Sequence, residues 1–485
     1  MIIENKTRQI ALILSASLAG FMALLDGNIV NISLPYIAAS FNVNTGSVIQ
    51  IVLVYLVVLS GTMIMFGKLA DQYGVKKIFT TGFAIFTLSS LLCGFANSIL
   101  FLILARALQA IGGSMLFATA VSLIPRYIPA EKRGWAFGIF SPISSLGLLV
   151  GNPLGGLITG LLDWHWIFLI NVPIGIFAII FAIKSIPPDE VLKQSGPPSG
   201  KFDFTGSLLS FFGLALFVYC LNQGRKIGWS NPLTIGGISV SMVLIALFIW
   251  QEKRAKNPLL DLSIFSDRNY TLGILASFAG FGLMAGSGIL MPFYLTYVLK
   301  INVEHAGFIL MTFAVCFSAM SPVSGNLSDR ISKTSLTVSG MILALGSSLF
   351  FILCLPLAQL WVVFVYLLAV GFSYAFFITP NNNLVMSLCD PKKQAISASV
   401  FKLSTNLGQM IGVLLMEIMF SLSLPGGIHT AGSTLKNLPP KVFLTGFQFA
   451  FTAGFILCLI ALILSLNIKE SSKGTTPSGE SFIPV

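Results

Sequence analysis

The stretch IALILSASLAGFMALLDGNIVNISLPYI, residues 10–37, carries a single acidic or basic residue, Asp26. A hydrocarbon core about 30 Å thick takes about 20 apolar residues as helix, so this run is long enough to cross a bilayer. Comparable runs recur as far as Leu466, and the polar breaks divide the 485-residue chain into roughly fourteen spans of that length. Only 9% of the residues are charged and 55% are apolar, with 41 Phe. Soluble domains carry about 25% charged residues, so a set of water-exposed domains is excluded, and with it disordered, collagen-like and disulfide-stapled chains. The expected fold is an all-α polytopic membrane protein of fourteen helices.

The net charge of +11 raises nucleic acid as a partner, and the location of the basic residues decides against it. With the N-terminus in the cytosol, five Lys and Arg fall outside (Arg225, Lys226, Lys300, Lys436 and Lys441) and two within spans (Arg106 and Lys402), leaving 21 of 28 on the cytosolic side. This is the positive-inside asymmetry of a multi-pass protein whose termini are both cytosolic. The six Trp fall at or near span ends, where the indole N–H stays in water. The six Cys are isolated and read as small core hydrophobes, with no metal-ligand spacing. No Gly-x4-Gly-Lys-Ser/Thr phosphate loop occurs, so no nucleotide cofactor is expected and an ATP-driven pump would need another subunit.

Gly67-Lys68-Leu69-Ala70-Asp71 follows the second run, and Gly325-Asn326-Leu327-Ser328-Asp329 follows the tenth. The repeat predicts two six-helix bundles, residues 1–186 and 269–468, separated by linkers and two extra helices in 187–268, with a disordered cytosolic tail in 469–485. Two similar halves about a midplane site are a transporter signature.

Three stretches together resemble the fourteen-span drug:proton antiporters of the major facilitator superfamily. Gly67 to Lys77 is similar to the superfamily's loop motif after span two. Leu25-Asp26-Gly27-Asn28-Ile29-Val30-Asn31-Ile32-Ser33-Leu34-Pro35 resembles the first-span motif of the antiporter branch, and Arg106-Ala107-Leu108-Gln109-Ala110-Ile111-Gly112-Gly113 its fourth-span motif. Two places depart from the family pattern: Asn152 stands between Gly151 and Pro153, and His165 stands between Trp164 and Trp166 where the family has Arg. The resemblance implies export of amphipathic, cationic drugs in exchange for protons across the plasma membrane by a monomer, with small molecules, protons and lipid as partners. The alternative with the same fold is export of a lipid, peptide or endogenous metabolite.

Among seventeen carboxylates only Asp26 and Glu417 fall inside spans. An intramembrane carboxylate is costly and is a functional candidate by default, able to hold a proton or, when ionised, to attract a cation. Asp26 and Arg106 lie within about 6 Å of the same depth at 1.5 Å per residue, close enough to pair. Glu417 sits near the outer end of its run and Lys402 in the inner half of the same run, each within reach of an interface. Asn31, Gln109 and Asn406 are cavity candidates that can also bond helix to helix. Gly67 and Gly74 are expected to form tight turns around a gating loop in which Asp71, Lys76 and Lys77, with Asp329 in the repeat, latch one access state. Gly147, Gly151 and Gly155 recur every four residues and, with Pro153 and Gly156, allow span five a close helix approach. His165, His305 and His429 fall on the outer side as solvated residues. A channel lacks a filter sequence here, and these histidines assemble no nucleophile, base and orienter, so an enzyme is not expected.

This topology is tested by labelling single cysteines with a membrane-impermeant thiol reagent. A cysteine at Asn222 is expected to react from outside, and one at Gln194 only after permeabilisation; the reverse pattern overturns the orientation.

Overall fold

The computed structural model describes residue 3 and residues 5–188, 203–228, 230–254, 262–328, 330–389, 394–423 and 440–469. Regular structure among them is helical throughout. A lipid solvent offers no hydrogen bonds, so backbone groups must be satisfied within each segment. Thirteen helices among the described residues are long and apolar enough to cross a membrane. In the first bundle these are α1 (Lys6–Ser40), α2 (Thr45–Tyr73), α3 (Val75–Gly94), α4 (Ile99–Tyr127), α5 (Arg133–Leu161) and α6 (Trp166–Ser185). α7 (Phe204–Ile227) holds a shorter apolar stretch, Thr205–Leu221, and α8 (Pro232–Arg254) follows it. The second bundle contains α9 (Arg268–Val298, its last turn a π-helix), α10 (Val303–Ser328), α11 (Lys333–Cys354), α12 (Leu360–Leu388), α13 (Gln394–Leu422) and α14 (Pro440–Leu466). Thirteen of the fourteen expected crossings are thus matched by such helices, and the shorter α7 stands at the place of the remaining one.

Local chemistry sets the helix starts. The Asn5 side chain accepts from Thr7 N at 2.9 Å, Asn44 from Ser47 N at 2.8 Å and Asp267 from Tyr270 N at 2.9 Å, each satisfying an amide that the first helical turn leaves open. Within the spans, Ser17, Ser89 and Ser277 donate to the carbonyl four residues back, so their hydroxyls cost little in an apolar setting.

The two bundles repeat one pattern of neighbours. α1 packs on α5, α3 on α4, α2 on α4 and α3 on α6; correspondingly α9 packs on α13, α11 on α12, α10 on α12 and α11 on α14. The closest pairs are built on glycine. A Cβ at Gly147 would meet the Phe21 carbonyl of α1, one at Gly151 would lie 2.7 Å from Asn28 Cβ, and one at Gly155 2.6 Å from Ile32 Cγ2. In the second bundle Gly408 and Gly412 of α13 do the same against Phe278 and Gly282 of α9. The α7–α8 pair, central in the sequence, lies to one side in space, where α7 packs on α2 with Phe211 against Gly61.

Both termini lie on one side: Ile3 N donates to Tyr127 O at 2.9 Å, and Lys469 N to Asn269 Oδ1 at 3.0 Å. On the opposite side the bundles merge into one continuous core that includes Ile37, Val48, Tyr294 and Ala306. There a Cβ at Gly156 would meet Val303 O at 2.5 Å, and one at Gly307 would meet Asn152 O at 2.5 Å. On the terminal side the cores are separate, one including Phe79, Leu123 and Ala182, the other Tyr270, Val385 and Val400. The bundles thus share one core away from the termini and have separate cores toward them.

Three details differ from the sequence reading. Gly67 is not a turn: α2 runs on through it to Tyr73, and only Gly74, at φ 104°, makes the reversal into α3. Trp164 is buried, not interfacial, edge-on to Phe41 and stacked on His165. Lys76 Nζ donates to Ile183 O at 2.7 Å and Ile186 O at 2.6 Å, so it caps the C-terminus of α6 within its own bundle. Asp329, the linker 189–202 and the tail from 470 lie outside the described residues, as does the side chain of Asp71.

The glycine contacts carry a stability prediction. Gly412→Val drives a branched side chain into the Gly282 backbone and is expected to destabilise the folded protein by about 1–3 kcal/mol or more. Gly288→Ala, whose Cβ would meet nothing within 4 Å, should change stability by about 0.5 kcal/mol or less. Thermal unfolding in detergent, followed by tryptophan fluorescence, checks the contrast.

Candidate functional site

Asp26 lies midway along α1 and is buried, as is Arg106 of α4. Arg106 Nη1 donates to Asp26 Oδ2 at 2.6 Å and to Gln109 Oε1 at 2.7 Å. Gln109 Nε2 closes the ring by donating to Asp26 Oδ1 at 3.0 Å, and also reaches Ser90 Oγ of α3 at 2.8 Å. Asn171 Nδ2 of α6 approaches Asp26 Oδ1 at 3.5 Å, at the length limit of a hydrogen bond. The guanidinium lies 4.2 Å over the Tyr55 ring of α2 and 5.7 Å from that of Phe168, both within cation–π range. Five helices of one bundle therefore converge on a single carboxylate.

The local sequence makes this convergence possible. Arg106 and Gln109 are three residues apart and share a face of α4. Gly112 and Gly82 bring α4 against α3, since a Cβ at Gly112 would lie 2.5 Å from Phe86 N. α6 is interrupted at Ile170, which places Asn171 at the first turn of its longer segment. The network is not saturated: Arg106 Nε, Asn171 Oδ1 and Tyr55 Oη are buried without hydrogen-bond partners. In the second bundle the corresponding helix pair is joined by neutral groups, Asn381 Nδ2 donating to Ser277 Oγ at 2.6 Å and Tyr374 Oη to Gly280 O at 2.6 Å. The contact between α9 and α12 thus carries no charge, unlike that between α1 and α4.

Other sequence candidates are dispersed. Glu417 is buried near the C-terminal end of α13 and accepts from Ser421 Oγ at 2.5 Å. Asn31 is half-buried, its Oδ1 without a partner. Asn406 is 2% exposed with Nδ2 unpartnered. Lys402, read from sequence as reaching an interface, instead places Nζ 5.4 Å from the Phe117 ring of the first bundle. Ser90, Tyr55 and Asn171 were not singled out. Each is a polar residue within an apolar run, and an intramembrane Asn is the kind of side chain that joins helices. No cluster of three or more His, Cys, Asp or Glu able to hold a metal occurs among the described residues.

Residues 16–413 and 273–483 match the model of the family described as Major Facilitator Superfamily. The chain is 30% identical over 446 residues to the riboflavin transporter RibZ of Clostridioides difficile, covering 92% of this chain and 94% of that protein. It is 26% identical over 470 residues to the lincomycin resistance protein LmrB of Listeria monocytogenes, covering 96% and 98%. The multidrug resistance protein Stp of Mycobacterium tuberculosis is 29% identical over 409 residues, 84% of this chain and 75% of that protein. Among solved structures, a bacterial homologue of the human lysosomal transporter Spinster superposes with a TM-score of 0.66 at 17% identity, covering 96% of this chain and 100% of that one.

Breaking the buried pair by removing one partner strands the other charge, at a cost of about 3–5 kcal/mol. Arg106→Met is therefore expected to lower the unfolding temperature in detergent markedly. The double variant Asp26→Asn with Arg106→Gln leaves no stranded charge and should recover at least half of that loss. Equal destabilisation by both would show that shape, not charge, holds the site.

Proposed function

The chain belongs to the major facilitator superfamily, and on that footing we propose that it is a proton-coupled secondary antiporter that exports amphipathic compounds by alternating access. It is a multi-pass membrane transporter. The observation that carries the proton coupling is the ring formed by Asp26, Arg106 and Gln109. A carboxylate held by a guanidinium has two states: ionised and paired, or protonated with the pair weakened. Because those states differ in their contacts to α3, α4 and α6, protonation biases whichever arrangement of the helices tolerates the neutral form. The gradient then drives the access equilibrium without a bound cofactor.

The units that rock are residues 1–186 and 269–468, and their separate cores toward the termini support opening on that side. The charge asymmetry supports a cytosolic location for that side, and the protein acts as a monomer in the plasma membrane. The relatives named for multidrug and lincomycin resistance support drug export. The relative named as a riboflavin transporter supports a second reading, movement of an endogenous metabolite through the same fold. A cationic substrate, expected from the resemblance, finds less support: Asp26 is occupied by Arg106 inside the bundle and does not face the space between the bundles as a free carboxylate.

Asp26→Asn tests the coupling. In vesicles with an imposed pH gradient, uphill export of the dye substrate is expected to fall at least tenfold, about 1.4 kcal/mol or more of lost coupling. Counterflow of the same dye down its own gradient should survive, and Asp26→Glu should retain part of the activity. Undiminished uphill export by Asp26→Asn would make Asp26 a packing residue and overturn the proposal.

A further inference from the structure

Lys402 stands in the inner half of α13, and the proposed export cycle leaves it without a task. Its direction follows from the packing of its own helix. Ser404 donates to Ile274 O at 2.9 Å, and Gly408 and Gly412 lie against Phe278 and Gly282, so the face bearing residues 404, 408 and 412 is turned to α9. Residues two positions away point to the far side of the helix. Lys402 and Asn406, four apart, share that far face, and Lys402 Nζ there approaches Phe117 of α4, across the divide between the bundles. Both residues thus lie on the side of α13 turned toward the first bundle, where α13 also packs on α2.

The chemistry of this corner is one-sided. Lys402 is partly exposed and makes no ion pair among the described residues; its one close aromatic contact is Phe117. Asn406 is 2% exposed, and its Nδ2 has no hydrogen-bond partner. The other carboxylates within spans do not serve it: Asp26 is held by Arg106, and Glu417 is fifteen residues along the same helix, about 22 Å away at 1.5 Å per residue. An ammonium group within a span is costly and marks a pathway or binding site when nothing in the protein neutralises it. Two donor groups one turn apart, with an aromatic ring over one of them, find no acceptor among the described residues.

We infer that Lys402 and Asn406 form the head-group subsite of the chamber and that the transported amphipath carries an anionic group, such as a carboxylate or phosphate, beside a planar apolar body that lies along Phe117. The anion takes N–H donation from Lys402 Nζ and Asn406 Nδ2, and the ring occupies the aromatic surface next to them. This deepens the export reading, since it rests on the space between the bundles being the substrate path, but it requires no proton gradient.

Equilibrium binding to the purified full chain in detergent tests it separately from coupling. Fluorescein, an anion, and rhodamine 123, a cation, share a three-ring xanthene body and are each followed by anisotropy. The wild type is expected to bind fluorescein at least tenfold more tightly than rhodamine 123. Lys402→Gln should erase that preference, Lys402→Arg should keep most of it, and Asn406→Ala should weaken fluorescein several-fold with little effect on rhodamine 123. Each variant is first shown to be monodisperse with an unchanged unfolding temperature. A wild type that prefers rhodamine 123, that binds neither dye, or whose fluorescein affinity is unmoved by Lys402→Gln overturns the inference. Normal fluorescein binding together with undiminished gradient-driven export by Asp26→Asn would instead sink the proton-coupling reading and leave this one standing.

Discussion

A solvent that offers no hydrogen bonds governs this protein at every scale. It forces the backbone into helices that satisfy themselves, turns intramembrane serines back onto their own helix carbonyls, and makes any unpaired charge within a span expensive. Under that constraint Asp26 and Arg106 stabilise one another only because each is surrounded by further partners. Gln109 bridges them, Ser90 anchors Gln109, and Tyr55 lies beneath the guanidinium. Replacing the whole group by apolar residues of similar shape would cost little or even stabilise the bundle. Its presence is therefore not explained by stability alone.

The apolar packing is arranged so that this chemistry can have a mechanical consequence. Within each bundle, glycines bring α5 onto α1 and α13 onto α9 at backbone contact, and such interfaces do not slide easily. Between the bundles the arrangement is different. One core joins them on the side away from the termini, and two independent cores lie on the other side. A body built this way deforms by rocking its halves about the shared region, leaving each half intact. The contacts of Gly156 with Val303 and of Gly307 with Asn152 mark where the seal would have to break.

Charge is distributed unequally over this nearly symmetric frame. The first bundle contains a buried acid and base that neutralise each other, while the second joins its corresponding helices through Asn381, Ser277 and Tyr374 without any charge. Lys402 then faces the first bundle from the second. If, as proposed, the pair in the first bundle responds to protons and Lys402 recognises cargo, energy input and cargo recognition are distinct in space. Coupling between them is then a property of the rocking motion, with no shared carboxylate required.

Composition and periodicity were enough to establish an all-helical polytopic fold and to find the buried carboxylate Asp26, because a bilayer imposes length and polarity on every span separately. Helix rise alone brought Asp26 and Arg106 to the same depth. What lay beyond the sequence was rotation and lateral placement. Whether Ser90, Tyr55 and Asn171 turn toward Asp26, whether Lys402 reaches an interface or the other bundle, and whether the α7–α8 pair sits between the bundles or beside α2 all depend on how helices distant in the chain are turned about their axes. Gly67 shows the same limit locally, since a glycine in a loop motif proved to be the interior of a longer helix. Depth in the membrane is written residue by residue in hydrophobicity, whereas the facing of one helix to another is decided only by the packing of both, and so it belongs to the tertiary structure.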